Sequence, residues 1–332
     1  MKMNTLKKLT ALALAAVMAL SLFACGKKTD DDKTDGKTYK IGIVQLVEHN
    51  ALDAANKGFV DGLKERGFEE GKNITIDRQN AQADQSNLQN IAQRFVSAKM
   101  DLICAIATPA AQTMANATHD IPIVGTAITD YEGAKLVASN KEPKGNVTGT
   151  SDMNPVKEQI DLLLKIKPDA KTIGTVYCSS EVNSEVQVKA MKENAESKGL
   201  TVKVATISTV NDIQQAAQSL IGSVDAFYEP TDNIIASAMP TLIDITNAAK
   251  VPVICGEPNM VKAGGLATYG IDYYKLGVQT GHMAADILEG KKPASMPIEM
   301  AKDLKVTVNK ANAALLGITF PEDVLKDADV IE

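Results

Sequence analysis

Two short runs decide how this chain is built: Lys40-Ile41-Gly42-Ile43-Val44 (KIGIV) and Lys171-Thr172-Ile173-Gly174-Thr175-Val176-Tyr177 (KTIGTVY). Each is a brief apolar strand, and a helical pattern follows each. After the first, Ala55, Phe59, Val60 and Leu63 form one stripe of a helix over residues 51–66. After the second, Val188, Met191 and Ala195 do the same over residues 186–198. Both helices run into a glycine, Gly67 and Gly199, the residue a left-handed C-terminal cap prefers. The likeness continues through second strands at 74–76 and 202–204 and helical segments at 87–92 and 211–216. Third strands follow at 101–106 and 224–228, then fourth strands at 121–125 and 251–256. Pro122 and Pro252 stand second in the fourth strands, near a start where a missing N–H costs least.

The order β-α-β-α-β-α-β thus occurs twice. Helices between apolar strands require a parallel sheet covered on both faces, and right-handed crossovers make each half a doubly wound lobe. The expected fold class is α/β, with two doubly wound parallel-sheet lobes. The body from Tyr39 to Glu332 is about twice the ~150 residues of one domain, as two lobes require.

Composition narrows the function. Hydrophobic residues make up 45% and charged residues 23%, ordinary for a globular chain. The net charge of −6, with basic residues clustered only near the N-terminus, excludes nucleic acid as a partner. Cys104, Cys178 and Cys255 lie in or at the end of apolar runs and read as small core residues. Residues 67–73 approach a phosphate loop but are one residue short and lack its Ser/Thr. GxGxxG, GxSxG, HExxH and CxxC are absent, and the three histidines, His49, His119 and His282, are far apart. No enzyme, metal site or cofactor is expected.

The N-terminus sets the compartment. Lys2, Lys7 and Lys8 precede an almost wholly apolar stretch over residues 11–23, too short for the ~20 residues of a membrane-spanning helix. It reads as a signal peptide over residues 1–24. Leu22-Phe23-Ala24-Cys25 resembles the bacterial lipoprotein box, in which the cysteine is lipidated, although Phe23 is bulkier than the usual small residue. Ordinary secretion is the alternative. Residues 26–38 are Gly, Lys, Thr and Asp with nothing to bury, so 25–38 is expected to be a lipidated tether. The body would then be extracytoplasmic, held to the outer face of the cytoplasmic membrane through Cys25.

Open parallel sheets bind ligands beyond the carboxyl ends of their strands. The loops there are 45–52, 107–112 and 127–131 in the first lobe, and 178–184, 229–233 and 256–259 in the second. They supply the candidate contacts Gln45, His49, Thr108, Ala110, Ala127, Thr129, Asp130, Ser180, Asn183, Tyr228, Asp232, Asn233 and Glu257, with Asp272 at a later strand end. Helix N-termini offer unpaired N–H groups to a carboxylate. Thr108 can equally be a cap before Pro109, and His49 can cap its own helix. A donor-rich wall facing Glu48, Asp130, Asp232, Glu257 and Asp272 suits a zwitterion. Tyr131, Tyr177, Tyr228, Tyr269 and Tyr273 fall near strand ends and could flank a flat apolar group. For Tyr177 and Tyr228 a core position is the alternative.

The lipoprotein box, the tether, the twin lobes and the run Ile41-Gly42-Ile43-Val44-Gln45, His49, Leu52-Asp53-Ala54, Gly58-Phe59 resemble the substrate-binding lipoproteins of bacterial ABC importers. Residues 107–112, 121–124 and 145–149 extend the resemblance to the branch with tryptophan- and tyrosine-binding members. It implies a type I periplasmic-binding-protein fold, a venus flytrap with three crossings near 149–151, 270–272 and 293–297. Lobe 1 would comprise 39–149 and 272–295, and lobe 2 would comprise 150–271 and 296–332. By the same resemblance Thr108, Ala110, Ala127 and Thr129 match positions that grip a carboxylate, and Asp232 or Glu257 matches the ammonium site. The implied function is capture of an amino acid, aromatic first, by hinge closure, and delivery as a monomer to ABC permease subunits in the membrane. Alternatives are a sugar or nucleoside ligand, or a ligand sensor docking on a membrane kinase.

Overall fold

Strand β1 (Tyr39–Gln45) is buried from Ile41 onward, and helix α1 (Asn50–Glu65) follows it, burying Ala51, Leu52, Ala55, Phe59 and Leu63 along one stripe. The helix stops at Gly67, whose φ of +85° a side chain would disfavour. These and the following elements belong to a computed structural model that describes residues 36–302 and 304–332. The expected signal peptide, Cys25 and the tether up to residue 35 lie outside the described residues. The first lobe continues with β2 (Ile74–Asn80), α2 (Gln85–Ala98), β3 (Leu102–Ile106), α3 (Thr108–Ala117), β4 (Ile123–Ile128) and β5 (Val147–Ser151).

The second lobe opens with α4 (Val156–Ile166) and repeats the pattern through β6 (Thr172–Cys178), α5 (Val182–Ser197), β7 (Thr201–Ile207), α6 (Ile213–Leu220) and β8 (Ala226–Glu229). It goes on with α7 (Asn233–Ser237), α8 (Met239–Ala248), β9 (Val253–Cys255), α9 (Pro258–Lys262) and β10 (Ala267–Ile271). The chain closes with α10 (Tyr273–Leu288), β11 (Glu299–Met300), β12 (Leu304–Asn309), α11 (Lys310–Leu316), α12 (Glu322–Leu325) and β13 (Asp329–Ile331).

The first sheet has the order β11-β5-β4-β3-β1-β2 and the second β13-β12-β10-β9-β8-β6-β7. The shared part, β2-β1-β3-β4-β5 against β7-β6-β8-β9-β10, is the internal duplication made physical. The pairings are parallel except that of β10 with β12, which is antiparallel and so departs from the all-parallel expectation. The fourth strands begin just after their prolines, whose carbonyls accept Ile103 N (2.9 Å) and Phe227 N (2.8 Å) in equivalent positions. A residue without an N–H can still serve the ladder as an acceptor.

Helix α10 crosses back from the second sheet to pack on α1. Added Cβ atoms at Gly58 and Gly277 would lie 2.1 Å from the carbonyl oxygens of Tyr274 and Ala55, so the two helices meet backbone to backbone. Its residues Leu276, Met283 and Ala284 join the first-lobe core with Phe59 and Phe95. The second sheet carries a core on each face, one around Met191 and Leu163 and one around Phe227 and Met239.

The chain passes between sheets at 152–155, at Asp272 and after Met300. The third position corrects the expectation of 293–297. Met296 and Ile298 are buried in the first-lobe core, and β11 pairs with β5, so residues 296–300 stay with the first lobe. Burial of those two side chains outweighs the break that Pro293 and Pro297 suggest.

Candidate functional site

In the order 2-1-3-4-5 the winding reverses between the first and third strands, which opens a crevice at their carboxyl ends. Both lobes bring that edge to one place. A small, tight cavity is lined there by His49, Ala51 and Leu52 at the start of α1, by Ala127 and Thr129 at the end of β4, and by Asp152 on the first crossing. Asn183 on α5, Thr231, Asp232, Asn233 and Ala236 around α7, Glu257 before α9 and Tyr273 at the start of α10 complete it.

The first-lobe wall is rich in donors. His49 precedes α1 in extended conformation and makes no side-chain cap, so the first-turn N–H groups around Ala51 and Leu52 face the cavity with the positive end of the helix dipole. Ala127 holds a φ of +54° where the pairing of β4 with β5 shifts register. Ala107, before α3, holds +84°. Left-handed alanines cost roughly 1–2 kcal/mol each, and such strain concentrates at sites of function.

The opposite side is rich in buried carboxylates. Glu181 accepts Asn183 Nδ2 (2.9 Å), Asn233 N (3.1 Å) and Ile234 N (3.1 Å). Asp232 caps α7 through Ile235 N (2.9 Å) and also accepts Cys178 N (2.7 Å) and Ser184 Oγ (2.8 Å). Glu257 caps α9 through Asn259 N (2.6 Å) and Met260 N (2.8 Å). Asp152 accepts Thr129 Oγ1 (2.9 Å) and Tyr273 OH (2.6 Å). Among the described residues none of these four carboxylates forms a salt bridge, although Lys262 exerts a weak favourable field on Glu257. Burial pushes Glu181 up to about 8 and Glu257 up to about 7, and it raises Asp152 and Asp232 as well. Burial lowers His49, which keeps its ring neutral.

Hydrogen bonds tie the lobes across the cavity. His49 Nε2 meets Asn233 Oδ1 at 3.2 Å, and Gln187 Nε2 on α5 reaches Thr129 Oγ1 at 3.4 Å. Gln187 also donates to Thr231 Oγ1 and accepts Thr231 N.

Of the residues expected from sequence, the cavity gathers His49, Ala127, Thr129, Asn183, Asp232, Asn233 and Glu257. Thr108 and Ala110 are buried at the start of α3 but do not line it. Gln45 is held by Asp53 and Val47 in the first lobe. Asp130 caps its own turn through Gly133 N, and Asp272 caps α10 through Lys275 N while exposed to solvent. Ser180 is exposed beside Cys178 Sγ. Tyr228 is fully buried in the second-lobe core with its hydroxyl on Gln159, and Tyr177 packs against the same core, so both take the core alternative. Of the five strand-end tyrosines only Tyr273 reaches the cavity. Asp152, Thr231, Gln187 and Glu181 were missed. Glu181 had a visible signal as an acid before a helix, whereas Asp152 had none beyond its place after a strand.

The match to known proteins agrees with this geometry. Residues 40–331 match the family described as ABC transporter substrate binding protein. The tyrosine-binding protein of Clostridioides difficile is 43% identical over 312 residues, covering 92% of this chain and 90% of the relative. A Streptococcus pneumoniae ABC domain solved in complex with L-Trp superimposes with a TM-score of 0.87 at 42% identity, covering 89% of this chain and 100% of that one. The ligand-free, open structure of a Clostridium difficile substrate binding protein with adhesive properties gives 0.69 at 46% identity, with 89% and 99% covered. The lobes described here therefore sit nearer the arrangement of the L-Trp complex than that of the open form, despite the higher identity to the latter.

Proposed function

Starting from the premise that this chain belongs to the ABC transporter substrate binding protein family, we propose that it captures an aromatic amino acid, L-tyrosine or L-tryptophan, between its lobes. The observation that carries this reading is the set of three buried carboxylates, Asp152, Asp232 and Glu257, that line one cavity with no salt-bridge partner among the described residues. Buried anions are tolerated when a cation joins them, and here the ligand's ammonium is that cation. Its carboxylate meets the unpaired N–H groups at the start of α1 and the Thr129 side. Tyr273, Leu52 and Ala236 give an aromatic side chain apolar company. The relatives that bind tyrosine or were solved with L-Trp support the same ligand class.

Capture proceeds by closure. An open form loads the ligand on one lobe, and rotation at the three crossings buries it beneath the other. The body is an extracytoplasmic monomer held through lipidated Cys25 that hands its ligand to a membrane permease. Among the described residues no helix is long and apolar enough to cross a membrane. The N-terminal basic and apolar pattern supports the anchor, and the family supports the permease. No step breaks or makes a covalent bond.

Calorimetric titration of the mature body tests the reading. Micromolar or tighter binding of L-tyrosine or L-tryptophan, with no heat from sugars and nucleosides, is expected. Flat traces for every amino acid would refute it.

A further inference from the structure

We propose that Asp152, on the first crossing between the lobes, is the residue that selects for the ligand's amine, receiving it together with the Asn183 side chain of the second lobe. This rests on the reading of the cavity as an amino-acid site and assigns the selectivity within it.

The three carboxylates that line the cavity, and Glu181 behind them, are not equivalent. Glu181 and Glu257 each accept two peptide N–H groups at the first turn of a helix, α7 or α9, and Asp232 accepts one there and that of Cys178 at the end of β6; those bonds fix where their oxygens point. Asp152 caps no helix. Its two oxygens accept one hydroxyl each, from Thr129 at 2.9 Å and Tyr273 at 2.6 Å. A carboxylate offers about four lone-pair sites, so each oxygen retains one for a further donor. The side chain is 3% exposed and has no ion pair among the described residues, a condition that a cation in the cavity relieves.

A second observation comes from the other lobe. Asn183 lines the same cavity and is 4% exposed. Its Nδ2 lies against Glu181 Oε2 and the Thr231 carbonyl, which identifies it as the nitrogen, and its Oδ1 is buried without a hydrogen-bond partner. A buried acceptor left empty is rare in folded proteins. An ammonium carries three donors, so it can fill the Asn183 oxygen and the open sites of Asp152 at once. One contact sits on the crossing and the other on α5, so the amine bridges the hinge to the second lobe, and a ligand without it loses that bridge. Thr129 and Tyr273 are positioning residues that hold Asp152.

The test is a titration of L-tyrosine and its des-amino analogue, 3-(4-hydroxyphenyl)propanoate, into the wild-type protein and variants. The wild type is expected to prefer L-tyrosine by about 100-fold or more, as sites built around a buried polar contact do. Asp152→Asn should weaken L-tyrosine by a similar factor, leave the analogue within about threefold, and so erase the preference. Tyr273→Phe, which keeps the carboxylate, should give a smaller loss confined to L-tyrosine. Should Asp152→Asn fail to fold, Tyr273→Phe decides the matter: an amine-selective loss supports the assignment and a parallel loss of both ligands overturns it. A preference unchanged in Asp152→Asn also overturns it and leaves the amino-acid reading standing. A wild-type protein that binds no amino acid removes that reading and this one with it.

Discussion

His49 Nε2 lies 3.2 Å from Asn233 Oδ1, a hydrogen bond that joins the N-terminus of α1 in the first lobe to that of α7 in the second. The amide nitrogen of Asn233 is committed to Glu181, so its oxygen is the acceptor and the neutral imidazole donates from Nε2. The lobes are thus latched at the cavity by protein groups alone.

His49→Ala should loosen that latch. A neutral hydrogen bond has a net worth of ~0.5–1.5 kcal/mol, so ligand affinity should fall roughly 2- to 13-fold. The ligand-free protein should also show a larger radius of gyration by small-angle scattering. Unchanged scattering and affinity would show that the contact does not hold the lobes.

Asp232→Ala separates a helix cap from a ligand contact. The change removes the cap of α7 and strands Cys178 N and Ser184 Oγ, so a loss of about 2 kcal/mol or more is expected without ligand. That corresponds to a fall in Tm of roughly 4–8 °C, measured by calorimetry. A collapse of affinity with Tm unchanged would return the ammonium to Asp232.

Gly277→Ala should destabilise the first lobe. Its Cβ would lie 2.1 Å from the Ala55 carbonyl oxygen, so α1 and α10 must separate. Overpacking of this kind costs about 1–3 kcal/mol, visible as a lower urea midpoint. Tolerance of the alanine at full stability would mean that the helices are not in backbone contact.

The ligand-free protein should gain stability as pH falls from about 9 to 6.5. Glu181, with a folded pKa of about 8, and Glu257, at about 7, bind protons in the native state that the unfolded chain has already released at these pH values. Protonation therefore favours folding in this window. Below about 6.5 His49 acts in the opposite sense, because its lowered pKa keeps the native ring neutral while the unfolded ring charges. Ligand affinity should fall as the pH is lowered, since protons compete with the ammonium for Asp152, whose carboxyl burial also holds above its usual range. Thermal scans and titrations across pH check both signs, and a Tm that rises steadily from 6.5 to 9 would contradict them.

Much of the site was legible because it obeys local rules. An acid or amide just before an apolar helix, as at Asp232-Asn233 or Glu257-Pro258, marks a strand end whatever its use. The same rule explains the ambiguity, since a helix cap and a ligand contact draw on the same residue types at the same place. Asp232 and Glu257 proved to be caps by their partners, a distinction no spacing carries. Asp152 was invisible for the opposite reason. It sits in a polar connector, and what gives it meaning is Tyr273, 121 positions away.

The periodic burial of apolar side chains and the glycine stops are short-range properties, and from them alone followed two wound sheets, their helices and the edge where a ligand must lie. Which carboxylate keeps an open oxygen, which tyrosine is core and where the third crossing falls were decided only by tertiary packing. Each depends on a contact between distant segments, as Met296 and Ile298 do in joining a core begun at Ile41. Local propensity has no term for such contacts.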